Sequence, residues 1–207
     1  MPSPKFDAIQ IQFSRKIGDP VSTAATAGAF ASVAVRNAYV NLALEEVFRK
    51  YWEGVMGNSE AFLEIFPELH KSIQKTTSAG GTYTLAATDT FDFFKIIDAY
   101  TVSTPKYIKF LKKHLRTVVI TGVSSLYTPS TDHFIGFEIE GVLEFYPASS
   151  FNAQNVRINY IRKPVDPSSG AAFSNGGTND IPFNSIWSEE IAETAYLIWK
   201  RNQQEGR

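Results

Sequence analysis

The chain has 207 residues, 43% of them hydrophobic, enough to bury one substantial core, so disorder throughout is excluded. Its 20 Lys and Arg stand against 21 Asp and Glu, a formal charge of −1, which argues against a dedicated nucleic-acid or anionic-membrane binder. No cysteine occurs, which excludes disulfides, a thiolate nucleophile and cysteine-ligated zinc.

The opening Met1-Pro2-Ser3-Pro4-Lys5 lacks the basic start and apolar run of a secretory signal, and the weakly apolar window Ala24 to Tyr39 is too interrupted to span a bilayer. No membrane association is expected. Residues 1–33 read as an extended N-terminal arm. Ile9-Gln10-Ile11-Gln12-Phe13 alternates like a short strand, and Val21 to Ala34 is almost all Ala, Ser, Thr and Gly, which bury little area per ordered residue. Ile9, Ile11, Phe13 and Phe30 are the side chains such an arm would lay on a partner; a loose terminus without a role is the plainer alternative.

Residues 34–207 read as the main domain. Ser32 is a candidate N-cap for a helix over about 34–53, with Val40, Leu44, Val47, Phe48 and Tyr51 on one stripe. Val35, Ala38 and Leu42 lie on its other side, so this helix is either central in a bundle or packed on a second subunit. Asn58-Ser59 caps a second helix over about 59–74, interrupted at Pro67. Short strands follow at about 82–85 and 91–102. Pro105 then opens an expected helix over about 105–119, with Tyr107, Ile108, Leu111, Leu115, Val118 and Val119 on one side and Lys106, Lys109, Lys112, Lys113 and Arg116 on the other. The hairpin strands 134–139 and 142–146 meet at Glu140-Gly141, and a further strand covers 156–162. Pro164 to Asp180 is a long loop, and a closing helix over about 185–203 places Trp187, Ile191, Ala195 and Ile198 on one stripe, expected to be buried against Val40, Leu44 and Val47. The expected class is α+β: a helical bundle with an inserted small antiparallel β-sheet and an extended N-terminal arm.

Candidate chemistry is sparse. His70, His114 and His133 lack the paired spacing of a zinc site, so no metal is expected. Gly122-Val123-Ser124-Ser125 lacks the closing glycine of a nucleophile elbow, and Gly176-Gly177-Thr178 lacks the lysine of a phosphate loop. The pairs Asp89 with Asp92, and Glu138 with Glu140 and Glu144, have the residue types of glycosidase carboxylates. Glu138 and Glu140, however, alternate with Phe137 and Ile139, as the solvent face of a strand does. The basic segment stands out more: no acidic residue lies between Asp98 and Asp132, so its five cations form either a solvated face or a salt-sensitive contact with DNA phosphate or an acidic partner.

Taken in order, several elements resemble the head-to-tail adaptor (connector, or neck ring) proteins of short-tailed bacteriophages. They are the first long helix (Val35 to Phe48), the Phe66-Pro67-Glu68-Leu69 helix end, Thr82-Tyr83-Thr84-Leu85-Ala86-Ala87-Thr88-Asp89, the hairpin, the Tyr160-Ile161-Arg162-Lys163-Pro164 strand exit and the closing helix. The set covers about Ser32 to Gln204, and it departs from the family at Ala86, where proline is usual. The resemblance implies a structural virion protein without catalytic residues or cofactor. It implies a ring of about twelve subunits docked to the portal protein and to other neck or tail proteins, extending the DNA channel. It also implies residence in the virion neck, after assembly from the host cytoplasm, and no small-molecule substrate. On this reading, portal or neighbouring-ring contact falls to the arm and to the 164–180 loop, with Phe173 and Asn175 as its docking residues, and Lys106, Lys109, Lys112, Lys113 and Arg116 face packaged DNA or an acidic neighbour.

Overall fold

A computed structural model of the chain describes residues 5–85, 92–121, 128–166, 171–174 and 181–205. In chain order these form α1 (Phe6–Lys16), α2 (Val33–Gly54), α3 (Ser59–Ile65), β1 (His70–Thr76), β2 (Thr82–Thr84), β3 (Phe93–Thr101), β4 (Tyr107–Phe110), α4 (Arg116–Thr121), β5 (Phe134–Ile139), β6 (Val142–Tyr146), β7 (Asn155–Arg162) and α5 (Ser188–Glu205). They divide into two compact units: a helical unit up to Leu69 and again from Lys163 onward, and a sheet unit, His70–Arg162.

In the helical unit, α2 and α5 pack on each other and α1 packs on both. Ser32 caps α2, its hydroxyl accepting from the Val35 N–H at 3.3 Å. The inner face of α2 buries Val40, Ala43, Leu44, Val47 and Phe48, and that of α5 buries Ile191, Ala192 and Ala195. Trp187 lies in a 3-10 turn just before α5, half-buried, with its ring 5.2 Å from Tyr51 and 4.6 Å from Phe66. Ile198 is also half-buried.

The segment expected to be an extended arm belongs to this core. Over a window longer than Ile9 to Phe13 the apolar spacing is helical: α1 buries Phe6, Ile9, Gln10 and Phe13, with Ile11 at the margin. Phe13 is fully buried, 6.0 Å from the Tyr39 ring. The small-residue stretch after it is ordered by polar bonds rather than by bulk. The Asp19 carboxylate accepts from the backbone N–H of Ala29, Phe30 and Ala31 at 2.7, 3.0 and 3.0 Å. The fully buried Arg36 of α2 donates to the carbonyls of Ala31 and Ala24, each at 2.9 Å, and to that of Thr26. A guanidinium has enough donors to serve several loop carbonyls at once, which satisfies a buried loop that hydrophobic contacts alone would leave unpaired. Gly28 is required here, since a Cβ would lie 1.9 Å from Asp19 Oδ2.

The sheet unit overturns the expected fold class. It carries one seven-stranded sheet in the order β1-β7-β3-β4-β5-β6-β2, antiparallel except for the parallel β4–β5 pair, so the architecture is mixed α/β and not a bundle with a small inserted sheet. Two strands come from segments expected to be helical. The 59–74 helix stops at Ile65, passes through a 3-10 turn at Pro67–Leu69 and becomes β1, whose side chains alternate in exposure along its pairing with β7. The 105–119 helix is replaced by β4, a 3-10 turn at Lys113–Leu115 and the short α4. Tyr107 is 62% exposed and its neighbour Ile108 fully buried, a two-residue period held by β3 on one side and β5 on the other. Alternation along β5 sends Phe134 into a cluster with Ile108, Leu143, Phe145 and Phe151, and Ile135 and Phe137 into a second with Val119.

Candidate functional site

The five cations of the basic segment share no helical face. Lys106 precedes β4, Lys109 lies within it, Lys112 and Lys113 follow, and Arg116 begins α4. Three of them meet carboxylates from the hairpin side of the sheet. Lys106 Nζ donates to Asp132 Oδ1 at 2.9 Å and to the Thr131 carbonyl at 2.6 Å, and sits 5.7 Å above the Phe134 ring. Lys113 Nζ donates to Glu140 Oε1 at 2.9 Å. Arg116 grips Glu144 with two parallel bonds, Nε to Oε2 at 2.6 Å and Nη2 to Oε1 at 3.0 Å, and the Tyr146 hydroxyl adds a third to the same carboxylate at 2.9 Å.

These contacts set the electrostatics. The Arg116 fork holds the Glu144 carboxyl below the usual carboxylate range against the effect of burial, and Glu144 in turn raises Arg116. The bond from Lys106 lowers Asp132, and that from Lys113 lowers Glu140. The +5 local charge counted along the sequence is therefore largely neutralised across the sheet, which leaves Lys109 and Lys112, both exposed, as the candidates for an external contact. Of the carboxylates with glycosidase residue types, three are similarly engaged, and Glu138 on β5 is exposed. Glu140 and Glu144 hold cations, and Asp92, 1% exposed, accepts from Lys71 Nζ at 3.0 Å and from the Tyr160 hydroxyl at 2.9 Å. Burial, then the adjacent Asp92 charge, pushes the Tyr160 hydroxyl well above the ordinary tyrosine range. Asp89 lies outside the described residues. Among the described residues no group of three His, Asp or Glu side chains converges as a metal site requires.

The side chains assigned to partner docking divide differently from expectation. Ile9, Phe13 and Phe173 are core residues, and Ile11 is half-buried. Phe173 packs on Phe6 with tilted rings 5.7 Å apart and is held by Asn41, whose amide both donates to the Phe173 carbonyl and accepts from its N–H at 2.8 Å. A polar side chain one turn from the apolar stripe of α2 thus fixes a loop residue more than a hundred positions away. Asn175 lies outside the described residues. Among the described members of the set, Phe30 alone is exposed, at 69%.

Among the described residues, the exposed large apolar side chains of the helical unit are Phe30, Met56 and Ile186 in loops and turns, and Val35, Leu42 and Leu197 on helices. The second stripe of α2 stays uncovered, with Val35 38% and Leu42 46% exposed and Ala38 exposed between them. On α5, Leu197 is 55% exposed. Leu42, Glu45, Glu46 and Arg49 of α2 face Ile198 and Arg201 of α5 across an open groove of about 360 Å³. The α2 wall was legible from helical spacing; Leu197 lies off the buried stripe of α5 and had no such signal. In comparison with known proteins, the chain matches no family model and no curated protein.

Proposed function

We propose that this chain is a structural assembly protein, a head-to-tail adaptor that forms a ring between the portal and the tail of a short-tailed bacteriophage virion. The observation that carries the reading is the outer stripe of α2. A helix apolar on two faces suits two partners: α2 buries the face carrying Val40, Leu44 and Val47, while Val35 and Leu42 are 38% and 46% exposed and Ala38 is exposed between them. The ordered motifs from the first long helix to Tyr160-Ile161-Arg162-Lys163-Pro164 supply the kind of assembly. On this reading the portal and other neck or tail proteins are its partners. Lys109 and Lys112 are then its salt-sensitive, sequence-independent contacts with packaged DNA or an acidic neighbour. Electron microscopy of the purified chain tests the proposal. Closed rings of about twelve subunits are expected; particles of monomer size at every concentration would refute it.

A further inference from the structure

We propose that the outer face of strands β1, β7, β3 and β4 binds single-stranded nucleic acid. This goes beyond the assembly reading; it shares Lys109 with that reading but does not depend on ring closure. Ala99, Ile108, Val156 and Ile158 point into the core cluster of the sheet, with Ile73 packed against it, so the side chains that alternate with them stand on the opposite face. Strand register lines four of these up in one row: Gln74 lies opposite Arg157, Arg157 opposite Tyr100, and Tyr100 opposite Tyr107. Lys109 stands two residues further along β4 on the same face. Gln74, Arg157, Tyr107 and Lys109 are exposed, and Tyr100 is half-buried. The row is set apart by what its side chains do not hold. The other described tyrosines, Tyr39, Tyr51, Tyr83, Tyr146, Tyr160 and Tyr196, each meet another ring or a cation. Among the described residues, Tyr100 and Tyr107 meet neither and make no side-chain hydrogen bond. Lys71, Lys106, Lys113 and Arg116 of the same unit each pair with a carboxylate, whereas Arg157 and Lys109 pair with none among the described residues. Two unengaged rings flanked by two unengaged cations suit an unpaired strand, whose bases stack on the rings while its phosphates meet the cations. A protein partner fits less well. The rows on either side are polar, Thr76 and Asn155 on one and Ser72 and Asn159 on the other, so the face offers no aliphatic centre for an interface core. Duplex DNA would leave the rings unused, since its bases are already stacked on one another. Asp98 and Lys109 adjoin the paired Ala99 and Ile108 at the same end, so the Asp98 carboxylate, which accepts from Asn159 Nδ2 at 2.5 Å, tempers the Lys109 contact and leaves Arg157 the stronger phosphate site.

The experiment is fluorescence anisotropy of the full chain with a labelled, mixed-sequence single-stranded DNA and with the same strand in a duplex, over a range of salt. The single strand should bind more tightly than the duplex, with log Kd rising against log salt at a slope of about 1.4 for two phosphate contacts. Tyr107→Ala should weaken binding about tenfold, while Tyr107→Phe, which keeps the ring, should stay near wild type. Arg157→Gln should lower the salt slope by about 0.7. Tyr107 and Arg157 are both exposed, so these variants keep the fold. Polyglutamate, standing in for an acidic protein surface, should not displace the strand at equal charge concentration. No binding at low salt, binding that Tyr107→Ala leaves unchanged, or displacement by polyglutamate would overturn the inference. A duplex bound as tightly as the single strand would overturn it as well. None of these results bears on ring closure, which microscopy reads separately.

Discussion

Truncating Phe13 to Ala tests whether the first 31 residues are part of the fold or an attachment to it. Phe13 is fully buried in the last turn of α1, against the Tyr39 ring of α2, and Ile9 and Gln10 one turn earlier are also sealed from solvent. Removing a buried phenyl ring in such a setting costs about 3–5 kcal/mol, from lost transfer energy together with the cavity left behind. Against a total stability of about 5–15 kcal/mol, that is a large fraction. One kcal/mol moves the melting temperature of domains in this size range by about 2–8 °C, so the variant should melt at least ~6 °C below wild type. Thermal unfolding followed by circular dichroism measures this, with Phe13→Leu, which keeps most of the volume, expected to lie between the two. The same logic makes deletion of residues 2–31 destabilising, since it strips Arg36 of the Ala24, Thr26 and Ala31 carbonyls that satisfy it. If Phe13→Ala melts within about a degree of wild type, or the truncated chain is as stable as the full one, α1 is not docked and the assignment of this segment to the core is wrong.

Replacing Tyr160 by Phe removes a hydrogen bond to the buried Asp92, which keeps its contact with Lys71, and should cost about 1–3 kcal/mol by chemical denaturation. Because the folded protein raises the Tyr160 pKa, the stability linked to it is complete below about pH 10 and is lost as pH rises from there toward the folded value; alkaline destabilisation that persists unchanged in Tyr160→Phe would contradict this. For Glu144 the sign is opposite: its folded pKa is lowered, so its contribution is present above about pH 4.3 and is lost as pH falls through the folded value. Glu144→Gln should flatten the acid limb of the stability profile, and an identical limb in the variant would show that the Arg116 fork is not formed in solution. Gly28→Ala should lower the melting temperature by displacing Asp19 from the three N–H groups it caps, whereas Gly54→Ala, where a Cβ meets open space, should not.

Local periodicity was sufficient for α2, whose inner stripe repeats over about three turns, and for the β5–β6 hairpin, where Glu140 and Gly141 take the positive φ angles that a tight turn between strands needs. For α5 it predicted the buried Ile191 and Ala195, whereas Trp187 lies in the preceding 3-10 turn and, like Ile198, is half-buried. These elements carry their partner's face in their own spacing. The 70–76 segment does not: Ile73 is its single large apolar residue, and what makes it a strand is β7, some eighty residues later in the chain. The 107–110 segment fits a helical wheel as well as a strand, and only its place between β3 and β5 decides the matter. The small-residue stretch before α2 is ordered because Asp19 and Arg36 reach its backbone, a pairing with no apolar signature along the chain. The charge of the 106–116 segment was legible as five cations, yet its neutralisation by Asp132, Glu140 and Glu144 depends on strand register, which places residues 26–28 positions apart within hydrogen-bonding distance. Composition and spacing therefore determined the elements whose stabilising contacts recur within a few turns. Sheet membership, the fate of the N-terminal segment and the charge left exposed were decided by contacts distant in sequence, since a hydrogen bond or an ion pair depends on separation in space and not along the chain.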